Sequence, residues 1–340
     1  MKALGLCSSL FRINSTQANK NGINLALRFS TTSTIQGPEN RRYIPRRAVL
    51  YVPGSDERKL KKIPSLGADC IVMDCEDGVA LSKKATARST IHRVLDKQEI
   101  DFMGKDCSVR FNSADSGLCE LDMVEVLSAA HLPTTVHLPK VESPEQLDWF
   151  SEKLCLALGS RQLQEKLRLI IFTESAQSLL DLPAICRRGV ELSRDAPFCL
   201  DGVVFGSDDF CADIGATRTN EAKELSFARQ YVVTVAKAFK LQAIDLVYID
   251  YKDLAGLKVQ SEEGAGMGFT GKQVIHPGQV PVVQAAFSPT PEKVEWAKAL
   301  IQAFEEHQKE GKGAFTFRGN MIDMPLLLQA RNIVQLASSL

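Results

Sequence analysis

Eight short apolar runs, each rich in β-formers and each ending in polar side chains, constrain this chain more than any other feature. They are Ala48–Pro53, Cys70–Asp77, Cys107–Asn112, Thr135–Glu142, Leu167–Ser175, Leu200–Phe210, Gln242–Tyr251 and Gly268–Pro277. Continuous apolar runs of this length suit strands buried on both faces. Helical patterns such as Ala222–Lys240 lie between them. The alternation predicts an α/β fold, a (β/α)8 TIM barrel. A doubly wound open sheet is the alternative, because sequence does not show closure.

The polar residues fall in phase. Asp74, Glu76 and Asp77, Arg110 and Asn112, Lys140 and Glu142, Glu174, Asp208 and Asp209, Asp250, and His276 all gather at the C-terminal ends of the runs. That pattern predicts one polar mouth, the face on which barrel enzymes carry their chemistry. Charges abutting core strands are costly unless they are used or paired.

Carboxylates on separate strands, with 5 histidines and no H-x-H or H-x-x-x-H pair, favour a hard cation with oxygen ligands. Mg²⁺ fits this donor set. Glu174 closes the fifth run and Asp209 the sixth; neighbouring strands lie ~4.7–4.9 Å apart, so the two can share one ion. Arg110 is a candidate clamp for a substrate carboxylate. The alternative is an ion pair with Glu76 or Asp77 on the neighbouring strand, and both hold if those acids orient it. After the first run, PGSDERKLKK offers Ser55 as a helix N-cap and sets Arg58 and Lys62 on one face, which suits a phosphate-bearing cofactor. A solvated basic face is the plainer reading of such a run. The stretch GMGFTGKQ (266–273) is one residue short of a Walker A loop, carries Gln273 in place of Ser or Thr, and precedes a strand, which argues against a P-loop.

Composition excludes other classes. At 44% hydrophobic residues the 340-residue chain is too apolar to be disordered. Its 41 basic and 41 acidic residues leave no overall electrostatic footprint for nucleic acid or a lipid surface. No apolar run approaches the ~18–20 residues of a membrane span. The 9 cysteines form no C-x-x-C pair, as expected of free thiols in a reducing compartment. Residues 1–38 hold Lys2, Arg12, Lys20 and Arg28 and no acid, so 1–30 reads as a mitochondrial presequence addressing the matrix, with an ordinary disordered N-terminus as the alternative. Residues 40–288 form the predicted barrel and 289–340 a helical lid. The lid contains a charged amphipathic helix over Pro291–Glu310 with Trp296 and Phe304 inward, a glycine-containing stretch over Gly311–Asn320, and an apolar helix over Leu326–Leu340.

In order, AVLYVPGSDERKLKK, DCEDGVALSKKATAR, VRFN, HLPKVES, FTES, VVFGSDDFCADIGA, AIDLVYID and GKQVIHPGQ resemble the citrate lyase β-subunit/malyl-CoA lyase family over about residues 46–288, and GKGAFTFRGNMIDMP extends the likeness into the tail. The resemblance implies a TIM barrel, Mg²⁺, acyl-CoA substrates with a small 2-oxo acid (pyruvate or glyoxylate), and a homotrimer whose tail lids a neighbouring subunit's site. Glu174 and Asp209 fall on the family's metal ligands. Arg110 falls on its substrate-carboxylate arginine, with Glu76 and Asp77 as supporting acids. Tyr51, Arg58 and Lys62, with Ile275 and His276, fall in the substrate- and CoA-binding region, and Asp323 on the tail aspartate that serves as catalytic acid/base. Ser207-Asp208 departs from the Gly-Glu that often precedes the second ligand. The implied reaction is retro-Claisen cleavage of (S)-citramalyl-CoA to pyruvate and acetyl-CoA, in five-carbon dicarboxylate (itaconate-type) degradation. Condensation of acetyl- or propionyl-CoA with glyoxylate, a malate synthase activity, is the second reading, and malyl-CoA thioester hydrolysis a side activity. A non-catalytic CoA-binding scaffold is the alternative of another class.

Overall fold

The computed structural model describes residues 42–309 and 315–339. The expected presequence lies outside these residues. Eight parallel strands close into a barrel in sequence order: β1 (Ala48–Pro53), β2 (Cys70–Asp74), β3 (Asp106–Arg110), β4 (Thr135–Leu138), β5 (Leu167–Thr173), β6 (Phe198–Phe205), β7 (Gln242–Asp245) and β8 (Gly271–Val274). Closure is made by β1 and β8, which pair Ala48 with Lys272, Val49 with Gln273 and Leu50 with Val274. The barrel, not the open sheet, is therefore the fold. Helices α1 (Glu57–Leu60), α2 (Lys84–Asp96), α3 (Cys119–Leu127), α4 (Pro144–Leu158), α5 (Ala176–Leu192), α6 (Ser207–Ile214), α7 (Ser226–Ala238), α8 (Leu254–Met267) and α9 (Val280–Ala286) alternate with the strands.

The strands are buried on both faces because successive side chains serve two cores. Val49, Cys70, Val72, Ile170, Phe172, Val204 and Ile244 fill the barrel interior. Leu50, Ile71, Met73, Val109, Val136, Leu169 and Val203 point the other way, into the layer shared with the helices. The interior is a packed core, and it places Tyr51, Asp74, Arg110 and Phe172 at its upper end. At the opposite end the fully buried Arg46 donates to Asp106 (2.5 Å), Asp201 (2.7 Å) and Thr135 (3.0 Å). This polar plug joins Arg46, which precedes β1, to residues of β3, β4 and β6.

The last three runs extend past the C-terminal ends of their strands. Leu200–Phe210 predicts one element, but β6 stops at Phe205 and Ser207 opens α6, with Gly206 at its N-cap. Likewise β7 ends at Asp245 and β8 begins at Gly271. Apolar loop residues such as Val247 and Ile275 extend the runs past the hydrogen-bonded ladder.

The tail forms α10 (Pro291–Lys309), a short antiparallel pair β9 (Phe315–Phe317) and β10 (Asn320–Ile322), and α11 (Met324–Ser339). Its own small core is Ala297, Leu300, Phe304, Ile322, Leu327 and Ala330. The hairpin replaces part of the expected glycine-containing connection. Arg318 (φ 49°) and Gly319 (φ 83°) make its two-residue turn, the positive-φ geometry that such hairpins require. Strands of three residues are too short to register as a period-two pattern. No helix among the described residues is long and apolar enough to cross a membrane.

Candidate active site

The site begins with strand register. Asp74 stands opposite Arg110 in the β2–β3 ladder, and both face inward. Arg110 Nε and Nη2 donate to the two Asp74 oxygens, each at 2.7 Å. Asp74 is 1% exposed and also accepts the Glu76 and Gly78 backbone N–H groups, each at 2.9 Å. Arg110 Nη1 lies 2.8 Å from Glu76 and 3.6 Å from Asp77. The guanidinium carbon stands 4.9 Å from the Tyr51 ring centre and 5.8 Å from that of Phe172, within cation–π range. Glu76 and Asp77 are thus partners of Arg110, as expected, but Asp74 holds its fork. The signal for Asp74 was a charge at an inward position of β2, two residues beyond Val72.

Glu174 sits one residue past β5, 6% exposed, and its Oε2 accepts the Lys140 backbone N–H at 2.8 Å. A Cβ at position 206 would stand 2.3 Å from Glu174 Oε1, so only glycine there lets the carboxylate lie across the start of α6. Asp209 is exposed in the first turn of that helix and lines the same cavity. It reaches the site from a helix, not from the strand end that the run predicts. Burial pushes the Glu174 carboxyl up to about 8, and the Glu76 and Asp209 carboxylates add to the rise. Among the described residues neither Glu174 nor Asp209 has an ion-pair partner. A buried acid with acidic neighbours and no paired cation fits Mg²⁺, which takes one or two carboxylates and completes its shell with water and substrate oxygens.

This electrostatic strain gives a pH test. A carboxyl with a raised folded pKa holds its proton longer in the folded than in the unfolded state. On its account the stability of the metal-free protein falls as pH rises from the ordinary carboxylate range through about 8. Mg²⁺ favours the ionised form, so it is expected to raise the melting temperature more at about pH 8.5 than at about pH 6. Thermal melts with and without Mg²⁺ check this; equal shifts at both pH values would remove Glu174 from the metal site.

The cavity above these groups measures about 700 Å³. Tyr51, Asp74, Arg110, Glu174, Gly206 and Asp209 line its chemical end, and Lys59, Lys62, Leu66, Ile275, His276 and Pro277 its other wall. Lys62, Ile275 and His276, expected in the substrate- and CoA-binding region, line this cavity. Tyr51 belongs to the interior end; its hydroxyl is buried without a hydrogen-bond partner, and burial holds its pKa well above the ordinary phenol value. Arg58 departs from expectation: its side chain is 94% exposed, and it does not line the cavity. The reason is local. The helix is capped by Asp56, which accepts the Lys59 N–H, and not by Ser55, and α1 lasts only four residues. The i, i+4 face expected for Arg58 and Lys62 is never built, and Lys59 joins Lys62 instead. Replacing Lys59 and Lys62 together with alanine is expected to raise KM for a CoA thioester by about tenfold with little change in kcat, while Arg58→Ala stays within about twofold. Steady-state kinetics over thioester concentration measure this.

His276 stacks on Tyr251 with ring centres 4.9 Å apart, and its Nδ1 accepts the Gly278 N–H. Asp323 is exposed and does not line this chain's cavity; it accepts the Leu326 N–H at the start of α11. Met321, Met324 and Leu328 flank it with exposures of 78%, 51% and 52%. Of the departures noted above, Asp208 lies 3.7 Å from Arg218 and the buried Ser207 hydroxyl has no hydrogen-bond partner.

Residues 47–277 match the HpcH/HpaI aldolase/citrate lyase family. The chain is 56% identical over 301 residues to the mitochondrial citramalyl-CoA lyase of Mus musculus, covering 88% of each chain. It is 30% identical over 296 residues to a (3S)-malyl-CoA thioesterase of Cereibacter sphaeroides, covering 87% of this chain and 96% of that protein. Its fold matches the crystal structure of protein CitE from Mycobacterium tuberculosis in complex with magnesium, acetoacetate and coenzyme A, with a TM-score of 0.67 and 27% identity over 88% of this chain and all of that one.

Proposed function

Since the chain belongs to the HpcH/HpaI aldolase/citrate lyase family, we propose that it is a Mg²⁺-dependent carbon–carbon lyase that splits citramalyl-CoA into pyruvate and acetyl-CoA. The observation that carries this is the pairing, in one cavity, of two unpaired carboxylates with a fully braced arginine, beside a basic wall. Glu174 and Asp209 would hold the metal, which supplies Lewis-acid polarisation of the pyruvyl-half oxygens when bound. Arg110, held on one side by Asp74, turns its remaining Nη hydrogens to the substrate carboxylate and steadies the charge that develops as the bond breaks. A base takes the tertiary hydroxyl proton, the carbon–carbon bond breaks to leave pyruvate, and the acetyl-CoA enolate takes up a proton at carbon. Asp323 is the proposed acid/base for these transfers. Lys59 and Lys62 face the phosphates of the CoA moiety.

Asp323 stands away from its own cavity amid exposed methionines and a leucine, which supports a lid laid over the site of a second subunit, in a homotrimer. The mouse relative is mitochondrial by name, and the acid-free first 38 residues support import to the matrix. The thioesterase relative favours hydrolysis of malyl-CoA as a side activity, and the reverse condensation with glyoxylate uses the same groups.

Purified protein mixed with citramalyl-CoA and Mg²⁺ is expected to release pyruvate and acetyl-CoA, and excess chelator to stop it. No pyruvate under these conditions overturns the substrate assignment; unchanged turnover with chelator overturns the metal.

A further inference from the structure

We infer that Lys140 is a positioning residue that ties the metal-binding carboxylate to the substrate arginine, with its backbone at one end and its ammonium at the other. The inference rests on the lyase reading, because it takes Arg110 as the group that meets the substrate carboxylate. Lys140 follows β4 with φ at 54°, the left-handed region that favours glycine. Non-glycine residues persist there where surrounding contacts over-determine them, and such positions cluster at functional sites. Here the contacts are specific. The backbone N–H holds Glu174 Oε2 at 2.8 Å. The ammonium lies 3.0 Å from Glu76 and 3.5 Å from Asp77. Glu76 in turn stands 2.8 Å from Arg110 Nη1.

Charge explains why both ends matter. Asp74, Glu76 and Asp77 crowd around Arg110, and one guanidinium cannot balance three carboxylates. Lys140 supplies the second cation. Glu76 already stands 2.8 Å from Nη1; without the ammonium, Glu76 and Asp77 bear harder on the Nη hydrogens that the substrate carboxylate needs, and Arg110 is drawn toward them. The lysine does not line the cavity itself, so it acts through Glu76 and Asp77 and not on the substrate.

Three variants separate this from a merely structural role. Lys140→Met keeps the backbone N–H and removes the charge. It is expected to lower kcat/KM by about 10–100-fold and to weaken pyruvate binding in Mg²⁺ by a similar factor, while Mg²⁺ affinity alone stays within about threefold. Lys140→Arg is expected to recover most of the loss. Lys140→Gly should lose as much activity as the methionine variant yet melt no lower than that variant, because both forfeit the same ion pairs and glycine accepts the left-handed backbone at no steric cost. Calorimetric titration of Mg²⁺ and then pyruvate, melting curves, and a crystal structure of the Lys140→Met protein supply the readouts. Wild-type kcat/KM and pyruvate affinity in Lys140→Met would overturn the inference. So would an Arg110 unmoved in that crystal structure, or activity losses that track melting temperature across all three variants. If the wild type fails to cleave citramalyl-CoA, the substrate assignment falls on its own, and the two titrations and the crystal structure still decide the role of Lys140.

Discussion

Arg110→Lys is expected to cut kcat/KM by about 10³-fold while leaving Mg²⁺ affinity near wild type. Asp74 already takes the Nε/Nη2 fork, and the substrate carboxylate must share what remains of the same planar group. An ammonium offers a single point of contact and cannot hold Asp74 and substrate in fixed relative orientation. Lysine keeps a positive charge beside Asp74, so the fold survives. Arg110→Ala is a poorer probe: it abandons a carboxylate that is 1% exposed, at a cost of about 3–5 kcal/mol. Kinetics and melting curves of the lysine variant, taken together, make the test. A loss below about tenfold would mean that Arg110 is a structural partner of Asp74 and no more.

Asp323→Ala is expected to lower kcat by about 10²–10⁴-fold, the span of a lost general acid/base, with KM and Mg²⁺ affinity little changed. The side chain is exposed and caps α11 through Leu326, so the alanine variant also forfeits about 1 kcal/mol of capping. Asp323→Asn separates the two effects, since asparagine caps as well as aspartate but moves no proton: its stability should hold while its turnover falls. The position of Asp323 outside its own chain's cavity adds a sharper arm. Co-expressed Asp323→Ala and Arg110→Lys chains are expected to regain part of the wild-type rate, because a mixed oligomer contains some sites with an intact floor and an intact lid. No recovery in purified mixed oligomers would place the lid over its own barrel or remove Asp323 from catalysis.

Much of the site was legible before the fold. Glu174, Arg110, Lys62, Ile275 and His276 all line the cavity, and Glu76 contacts Arg110 as expected. Glu174, Arg110, Glu76 and His276 were legible because in a parallel barrel the C-terminal end of each apolar run becomes the mouth, whatever the details of the packing; Lys62 came from the basic run after β1 and Ile275 from the family resemblance. Three other residues take positions that the run pattern does not carry, though Asp209 and Tyr51 still line the cavity. Arg58 fails because a four-residue helix never completes the turn that the i, i+4 argument assumes. Asp209 arrives from α6 because glycine at 206 ends the strand and starts a helix within one residue. Tyr51 lies inside the barrel, under the guanidinium, because strand parity and not proximity to the basic loop decides where it points.

What the sequence alone determined was therefore the alternation of eight buried strands with helices and the concentration of charge at one end of them, since both follow from local periodicity. Only the tertiary structure decided which charges meet. Asp74 rather than Glu76 or Asp77 takes the Arg110 fork because β2 and β3 pair in that register. Lys140 reaches Glu174 through its backbone because the chain turns left-handed after β4. Register and a single dihedral angle act across 36 and 34 residues of sequence, where no pattern of residue types can see them.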